Sequence, residues 1–434
     1  MIGVGVVDLG FGDAGKGLVV DALTRRLGAT TVARVNGGAQ AGHNVVTPDG
    51  RHHCFSQVGA GSFTPGVRTV HGPEVVLHLG ALAVEATALA RVGVPGILDR
   101  IDASARCRVV TPWDQACGRL RELARGDARH GSCGTGVGEV VRASIEEPTT
   151  VVRLGDLRSP SRARDAAVRA RNRARASAAV LDPAPAPGAT AEAAALADDD
   201  IVDRWLCQAR SVAEGLVADD DRLARVLGAG PVVVEGAQGV LLDQDYGFHP
   251  FTTWSSCTFS PVDDLIDQFL PGAHATHLGV VRTLPVRHGP GPFPTHEPAL
   301  DSAITEAHNC SGPWQGAVRH GWPDQVMARY AADVVGRLDG VVVTHVDTWR
   351  SLTGGCLATT YEGFDRLPRP ATLAEQVALT SALLATTPRL EPWPHGGAAD
   401  DGEPWAALHR APLAASATGP THAALRWTDL VPTA

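Results

Sequence analysis

Gly10-Phe11-Gly12-Asp13-Ala14-Gly15-Lys16-Gly17 is the segment best equipped for chemistry. The spacing Gly10-x4-Gly15-Lys16 fits a phosphate loop, whose glycines let the backbone wrap around phosphate while the lysine reaches its oxygens. Such a loop ordinarily continues with a Ser or Thr hydroxyl that ligates Mg²⁺, yet Gly17 stands there. A carboxylate, Asp13, lies inside the loop instead, where it can hold a metal, accept a proton, or do both beside a transferring phosphate. The plainer reading is a Gly-rich strand-to-helix turn of a Rossmann-like unit. The flanks have the right character: an apolar run at 2–9 precedes the loop, and Leu18-Val19-Val20-Asp21-Ala22-Leu23 reads as a helix start.

Four further constellations carry chemistry. Asn36-Gly37-Gly38-Ala39-Gln40-Ala41-Gly42-His43-Asn44 is a glycine loop after a strand, and His43 at its end can donate to a phosphoryl or carbonyl oxygen. A loop histidine is also often incidental. Gly131-Ser132-Cys133-Gly134-Thr135-Gly136-Val137-Gly138 combines glycines with small hydroxyls and suits a monophosphate. Glu235-Gly236-Ala237-Gln238-Gly239 closes a strand, and the Gln238 amide offers the donor and acceptor that an oxo-heterocycle edge needs. Finally, Asp347 follows the strand at 340–344, where an acid can pair with guanine and favour GTP over ATP, or simply cap a helix.

The elements that must position these residues alternate. Apolar strand-like runs at 2–9, 31–35, 75–77, 231–235, 277–281 and 340–344 are separated by helical stretches such as 79–92. That rhythm predicts an α/β fold, a large, mostly parallel central sheet with flanking helices and small accessory subdomains. At 434 residues and 44% hydrophobic content the chain can bury a large core. It is read as one domain over 1–434, with a variable insertion at 158–200 made of two helices around a flexible, Pro-rich link. The Arg-rich part of that insertion reads as a solvated helix, and a net charge of −9 gives no basic footprint for nucleic acid. The eight cysteines show no CxxC pair or zinc spacing and read as reduced thiols. With no 18-residue apolar run and no room for a signal peptide, a soluble cytoplasmic protein is expected.

In order and spacing these segments resemble the adenylosuccinate synthetase family, GTP-dependent ligases of purine biosynthesis. The resemblance runs through the phosphate loop, the 37–43 and 132–138 loops, Arg153-Leu154-Gly155-Asp156-Leu157 and the 235–239 segment. It continues through Gly291-Pro292-Phe293-Pro294-Thr295, Gly321-Trp322-Pro323-Asp324 and Ala417-Thr418-Gly419-Pro420. It implies transfer of the γ-phosphoryl of GTP to the 6-oxygen of inosine monophosphate (IMP), followed by displacement of that phosphate by an amine, L-aspartate in the family. By resemblance Asp13 is the base, His43 the general acid, Lys16 the phosphate lysine, and Gln238 the group that fixes the purine edge. GTP would be held by Gly12, Gly15, Lys16, Gly17, Gly42, His43 and Asn44, and at its base by His345, Asp347, Thr418 and Gly419. The nucleotide would meet Asp13, Gln40, Ser132, Cys133, Gln238 and Thr253, with Mg²⁺ on Asp13 and the Gly42 carbonyl. A homodimer is also implied, Arg142 being the nearest candidate for the phosphate arginine that one subunit lends the other.

The chain departs from the family in several places. Gln40 stands for an Asn, Ser132 and Cys133 for threonines, Leu18 for a Lys and Ala14 for a Glu; His345 replaces a Lys and Ala417 a Ser. The largest departure lies in Gly312-Pro313-Trp314-Gln315-Gly316-Ala317-Val318-Arg319-His320. There the family's two threonines and run of arginines, which bind the carboxylates of aspartate, become Trp314, Gln315 and Ala317, with only Arg319 surviving. The phosphorylating half is thus intact and the amine-accepting half rebuilt. Three alternatives follow: a homologue using a different amine or nucleotide analogue, a GTP-binding regulator without ligase activity, and a kinase that stops at the phosphorylated heterocycle.

Overall fold

The computed structural model describes residues 3–182, 187–306, 309, 314–393 and 401–433. Ile2 of the first apolar run, the centre of the 158–200 link at 183–186, and Gly312 and Pro313 of the amine loop lie outside the described residues.

The first half contributes β1 (Gly3–Asp8), β2 (Thr31–Arg34), β3 (His43–Val46), β4 (His52–Phe55), β5 (Arg68–His71), β6 (Val76–Leu77), β7 (Ile101–Ser104), β8 (Arg108–Val109) and β9 (Val217–Ala218). The second half contributes β10 (Val232–Glu235), β11 (Ala275–Arg282), β12 (Val286–His288), β13 (Val318–His320), β14 (Gly340–Thr344), β15 (Cys356–Tyr361), β16 (Pro388–Pro392), β17 (Leu413–Ala417) and β18 (Leu425–Trp427). Ten of these form one sheet in the order β18-β17-β14-β11-β1-β10-β2-β5-β7-β9. All neighbours in it are parallel except β17 and β18.

A parallel strand covered on both faces needs apolar residues at nearly every position, and β1 is buried along its whole length. Val4 and Val6 pack into one cluster with Val19 and Leu23 of helix α1 (Lys16–Arg26), while Val7 and Leu9 join Phe259 and Val262 on the other face. The expected α/β sheet is therefore present. Two expectations shift. The 75–77 run forms β6, which pairs with β8 outside the main sheet and bridges to Gly38. His43 is not a loop residue but opens β3, in a hairpin with β4.

The 158–200 region holds the two expected helices, Pro160–Ala179 and Pro187–Ala197. The first buries Ala163, Ala166, Ala167, Ala170 and Ala174 at three- and four-residue spacing, turning Arg162, Arg164 and Arg169 outward while Arg173 pairs inward with Asp114. Arg171 and Arg175 there pair with Asp199, so the run is locally neutralised rather than offered to a polyanion.

Candidate active site

The parallel topology gathers the singled-out segments at one edge. Loops leaving the carboxyl ends of β1, β2, β10, β14 and β17 carry, in turn, Asp13, Gln40, Gln238, His345 and Thr418. That is where an open parallel sheet binds ligands. The phosphate loop climbs from Asp8 and enters α1 through Gly15, whose φ of 89° favours glycine. Four non-glycine residues among those described have positive φ: Asp13 (57°), Gln238 (59°), His345 (58°) and Arg410. Three of the four are predicted site residues, and such backbone strain gathers where function over-determines geometry.

Asp13 Oδ2 lies 2.8 Å from His288 Nε2, and its backbone oxygen accepts from Arg282 at 3.4 Å. Burial pushes the Asp13 carboxyl up, but the hydrogen bond and charge of His288, with Lys16 and Arg282, outweigh it and hold Asp13 below the usual carboxylate range. His288 is raised in turn by its hydrogen bond to Asp13. Arg282 also donates to Glu306 at 2.6 Å, and Glu306 meets His320 at 3.1 Å, so Asp13 stands beside a dense charge network.

His43 Nδ1 is hydrogen-bonded to Glu235 Oε1, while Glu235 Oε2 accepts the Ala60 amide at 3.0 Å. Burial lowers His43 despite this partner, and its Nε2 is buried without a hydrogen bond. Both polar atoms of the Gln238 amide are likewise buried and unpartnered, as is Gln40 Oε1. Orphaned buried groups of this kind carry a desolvation cost that a ligand can relieve. Asn36 locks two of the loops together: it accepts the Ala237 amide at 2.7 Å and donates to the Ser256 carbonyl at 2.6 Å.

α1 seats directly on β3. A Cβ on Gly17 would fall 2.5 Å from the Asn44 carbonyl oxygen and 2.9 Å from His43 C, so only glycine permits this approach. The 131–138 loop is pinned by Glu122, which accepts the amides of Gly131 (2.8 Å) and Ser132 (3.1 Å). Cys133 Sγ lies 3.1 Å from Thr135 Oγ1. Thr253 donates its amide to the Leu242 carbonyl at 2.8 Å. At the far end of the edge, burial lowers His345 to about 3, Arg282 adding to the effect, and Asp347 is exposed in the first turn of the following helix. Thr418 and Gly419 follow the neighbouring β17.

In the amine loop, Trp314 packs on Gly134 and lies under the Arg119 guanidinium at 5.7 Å, joining this loop to the 131–138 loop. Arg319 donates to the carbonyls of Gly289 (2.6 Å) and Gly291 (3.1 Å) and lies over Phe293. Both bonds come from one guanidinium nitrogen, Nη2, while its Nε is buried without a hydrogen bond, and Ala317 is exposed. Arg142 pairs within its own helix, with Glu139 at 2.6 Å and Glu146 at 3.2 Å. Sequence reasoning passed over Asp8, Glu235, Arg282 and His288 as site residues. Glu235 was visible as the first residue of a quoted segment; no spacing pointed to His288.

A carboxylate held below its usual range in a phosphate loop, with an orphaned imidazole nitrogen and an orphaned amide on loops of the same sheet edge, is the arrangement of a nucleotide-dependent enzyme of the phosphate-loop class. The sequence profile of the adenylosuccinate synthetase family matches residues 5–393. Relatives named adenylosuccinate synthetase include those of Teredinibacter turnerae, 32% identical over 80% of this chain and 78% of the relative, and Alkalilimnicola ehrlichii, 32% identical over 83% and 81%. In fold the chain is similar to the fully ligated adenylosuccinate synthetase from Plasmodium falciparum (TM-score 0.78, 18% identity, 99% and 100% coverage). It is also similar to the cyanophage S-2L succinoaminodeoxyadenylate synthetase solved with dGMP and dATP (TM-score 0.60, 17% identity, 98% and 95% coverage). The chain belongs to the adenylosuccinate synthetase family, and is a ligase.

Proposed function

We propose that this chain is a GTP- and Mg²⁺-dependent ligase that phosphorylates the 6-oxygen of IMP and replaces the phosphate with the amine of L-aspartate. The products are adenylosuccinate, GDP and phosphate. The observation that carries this reading is the trio of Asp13 held ionised, His43 with a bare Nε2, and Gln238 with a bare amide on one sheet edge. A lactam oxygen is a poor nucleophile until N1 loses its proton, and Asp13 takes that proton. Gln238 pairs with the purine edge and biases N1 toward deprotonation. His43, oriented by Glu235 through Nδ1, presents Nε2 to the oxygen that develops charge during phosphoryl transfer. Lys16 and the loop amides hold the phosphates, so catalysis is positioning and charge stabilisation.

Mg²⁺ binds hard oxygens and is commonly held by one or two carboxylates together with phosphates. The Asp13 carboxylate and the Gly42 carbonyl are donors of that kind, and the ion would neutralise charge on the transferring phosphoryl group. Asp347 and His345 would meet the guanine, with Thr418 and Gly419 beside them. Gln40, Ser132, Cys133 and Thr253 would hold the nucleotide and its phosphate. The chain is further proposed to act as a cytoplasmic homodimer, one domain over 1–434 with 158–200 as a variable insertion. Trp314, Gln315 and Ala317, standing where the family binds the carboxylates of aspartate, favour one competing reading, an amine other than aspartate at this loop. A mass-spectrometric assay with GTP, Mg²⁺, IMP and either aspartate or a panel of amines decides between them. Robust adenylosuccinate formation is expected; phosphate release with another amine alone would replace aspartate in this reading.

A further inference from the structure

Asp8 ends β1, and its carboxylate is turned into the phosphate loop. Oδ1 accepts the amides of Gly10 (2.9 Å) and Gly12 (3.3 Å). Oδ2 accepts the amide of Ala14 (2.9 Å) and the ammonium of Lys16 (3.0 Å). The two side chains are 0% and 3% exposed, so the pair is sealed from water. Three convergent amides and an ammonium are the donors a phosphate loop offers to phosphate.

We propose that Asp8 is a resident anion of the phosphate seat, binding the loop amides and Lys16, and that nucleotide enters by drawing Lys16 away from it. The inference rests on the reading that this loop binds nucleotide phosphates. A buried carboxylate within a few ångströms of an incoming phosphate opposes it, because like charges interact strongly where water is excluded. A free phosphate ion has only the loop to gain and is turned away. A nucleoside diphosphate also gains its base contacts at the other end of the sheet edge, and that added binding drives the exchange. Asp8 thereby becomes a filter for tethered over untethered phosphate.

The test is calorimetric titration of Mg²⁺·GDP and of inorganic phosphate into the full-length wild type, Asp8→Asn and Asp8→Ser. Both variants are expected to bind Mg²⁺·GDP about tenfold or more tighter than wild type, and to gain affinity for inorganic phosphate. Variants that melt cooperatively yet bind GDP no tighter overturn the proposal. If neither variant folds, a structure of the wild type with Mg²⁺·GDP decides: Lys16 on the β-phosphate supports the exchange, and Lys16 still on Asp8 refutes it. Absence of GDP binding by all three proteins would instead sink the functional reading and the proposal with it.

Discussion

As the proposed base, Asp13 has to be ionised and fixed in direction, and its neighbours meet both demands. His288 and Lys16 oppose the effect of burial on its charge, and the hydrogen bond from His288 fixes its Oδ2. Replacing it with Asn keeps the shape and removes the base. Asp13→Asn is expected to abolish turnover while GDP binding by calorimetry persists; surviving turnover would show that N1 is deprotonated elsewhere. Residue types at the site were legible because phosphate loops constrain spacing, and Asp13, Lys16, His43 and Gln238 all lie on the shared edge. Their partners were harder to see. His288 reaches Asp13 across 275 positions of sequence, and only the pairing of β12 with β13 places it there.

At the scale of elements, the contact between α1 and β3 would tie the proposed phosphate lysine to the proposed acid. Lys16 starts the helix, His43 starts the strand, and Gly17 lets the two backbones touch. Gly17→Ala would push β3 outward and carry His43 with it. The expected cost is about 1–3 kcal/mol of stability, typical of overpacking, with a fall in kcat exceeding any change in GDP affinity. Differential scanning calorimetry and steady-state kinetics check the two parts, and an unchanged kcat would free His43 from this coupling. The strands at the centre of the sheet, β1, β2, β10, β11 and β14, were legible from apolar runs, because burial on both faces leaves no other pattern; β5, β7, β9, β17 and β18 were not. The hairpin at His43 was not, since its few residues alternate too briefly to set a period and are preceded by glycines that read as loop.

For the whole molecule, buried neutral histidines set the response to acid. Burial lowers His71 and His409 to about 4, while the unfolded chain binds those protons near 6.5. The unfolded state therefore takes up more protons in that interval, and stability, full above about pH 6.5, is lost as pH falls toward 4. Each histidine accounts for roughly 3 kcal/mol at the lower limit. Asp324, pushed up to about 6 by burial, works the other way between about pH 6 and 4, because the folded form takes its proton first. Two histidines outweigh one aspartate, so Tm measured calorimetrically should drop from pH 7 to pH 4.5; a flat or rising Tm would contradict the balance. The ion pair within the phosphate loop has one more consequence at this scale. Lys16 is the single lysine among 434 residues, every other basic side chain of that kind being arginine. Selective isotopic labelling of lysine would thus place one lysine side chain in the entire spectrum, sited at the proposed phosphate seat. Nucleotide entry could be followed there without assigning any other signal.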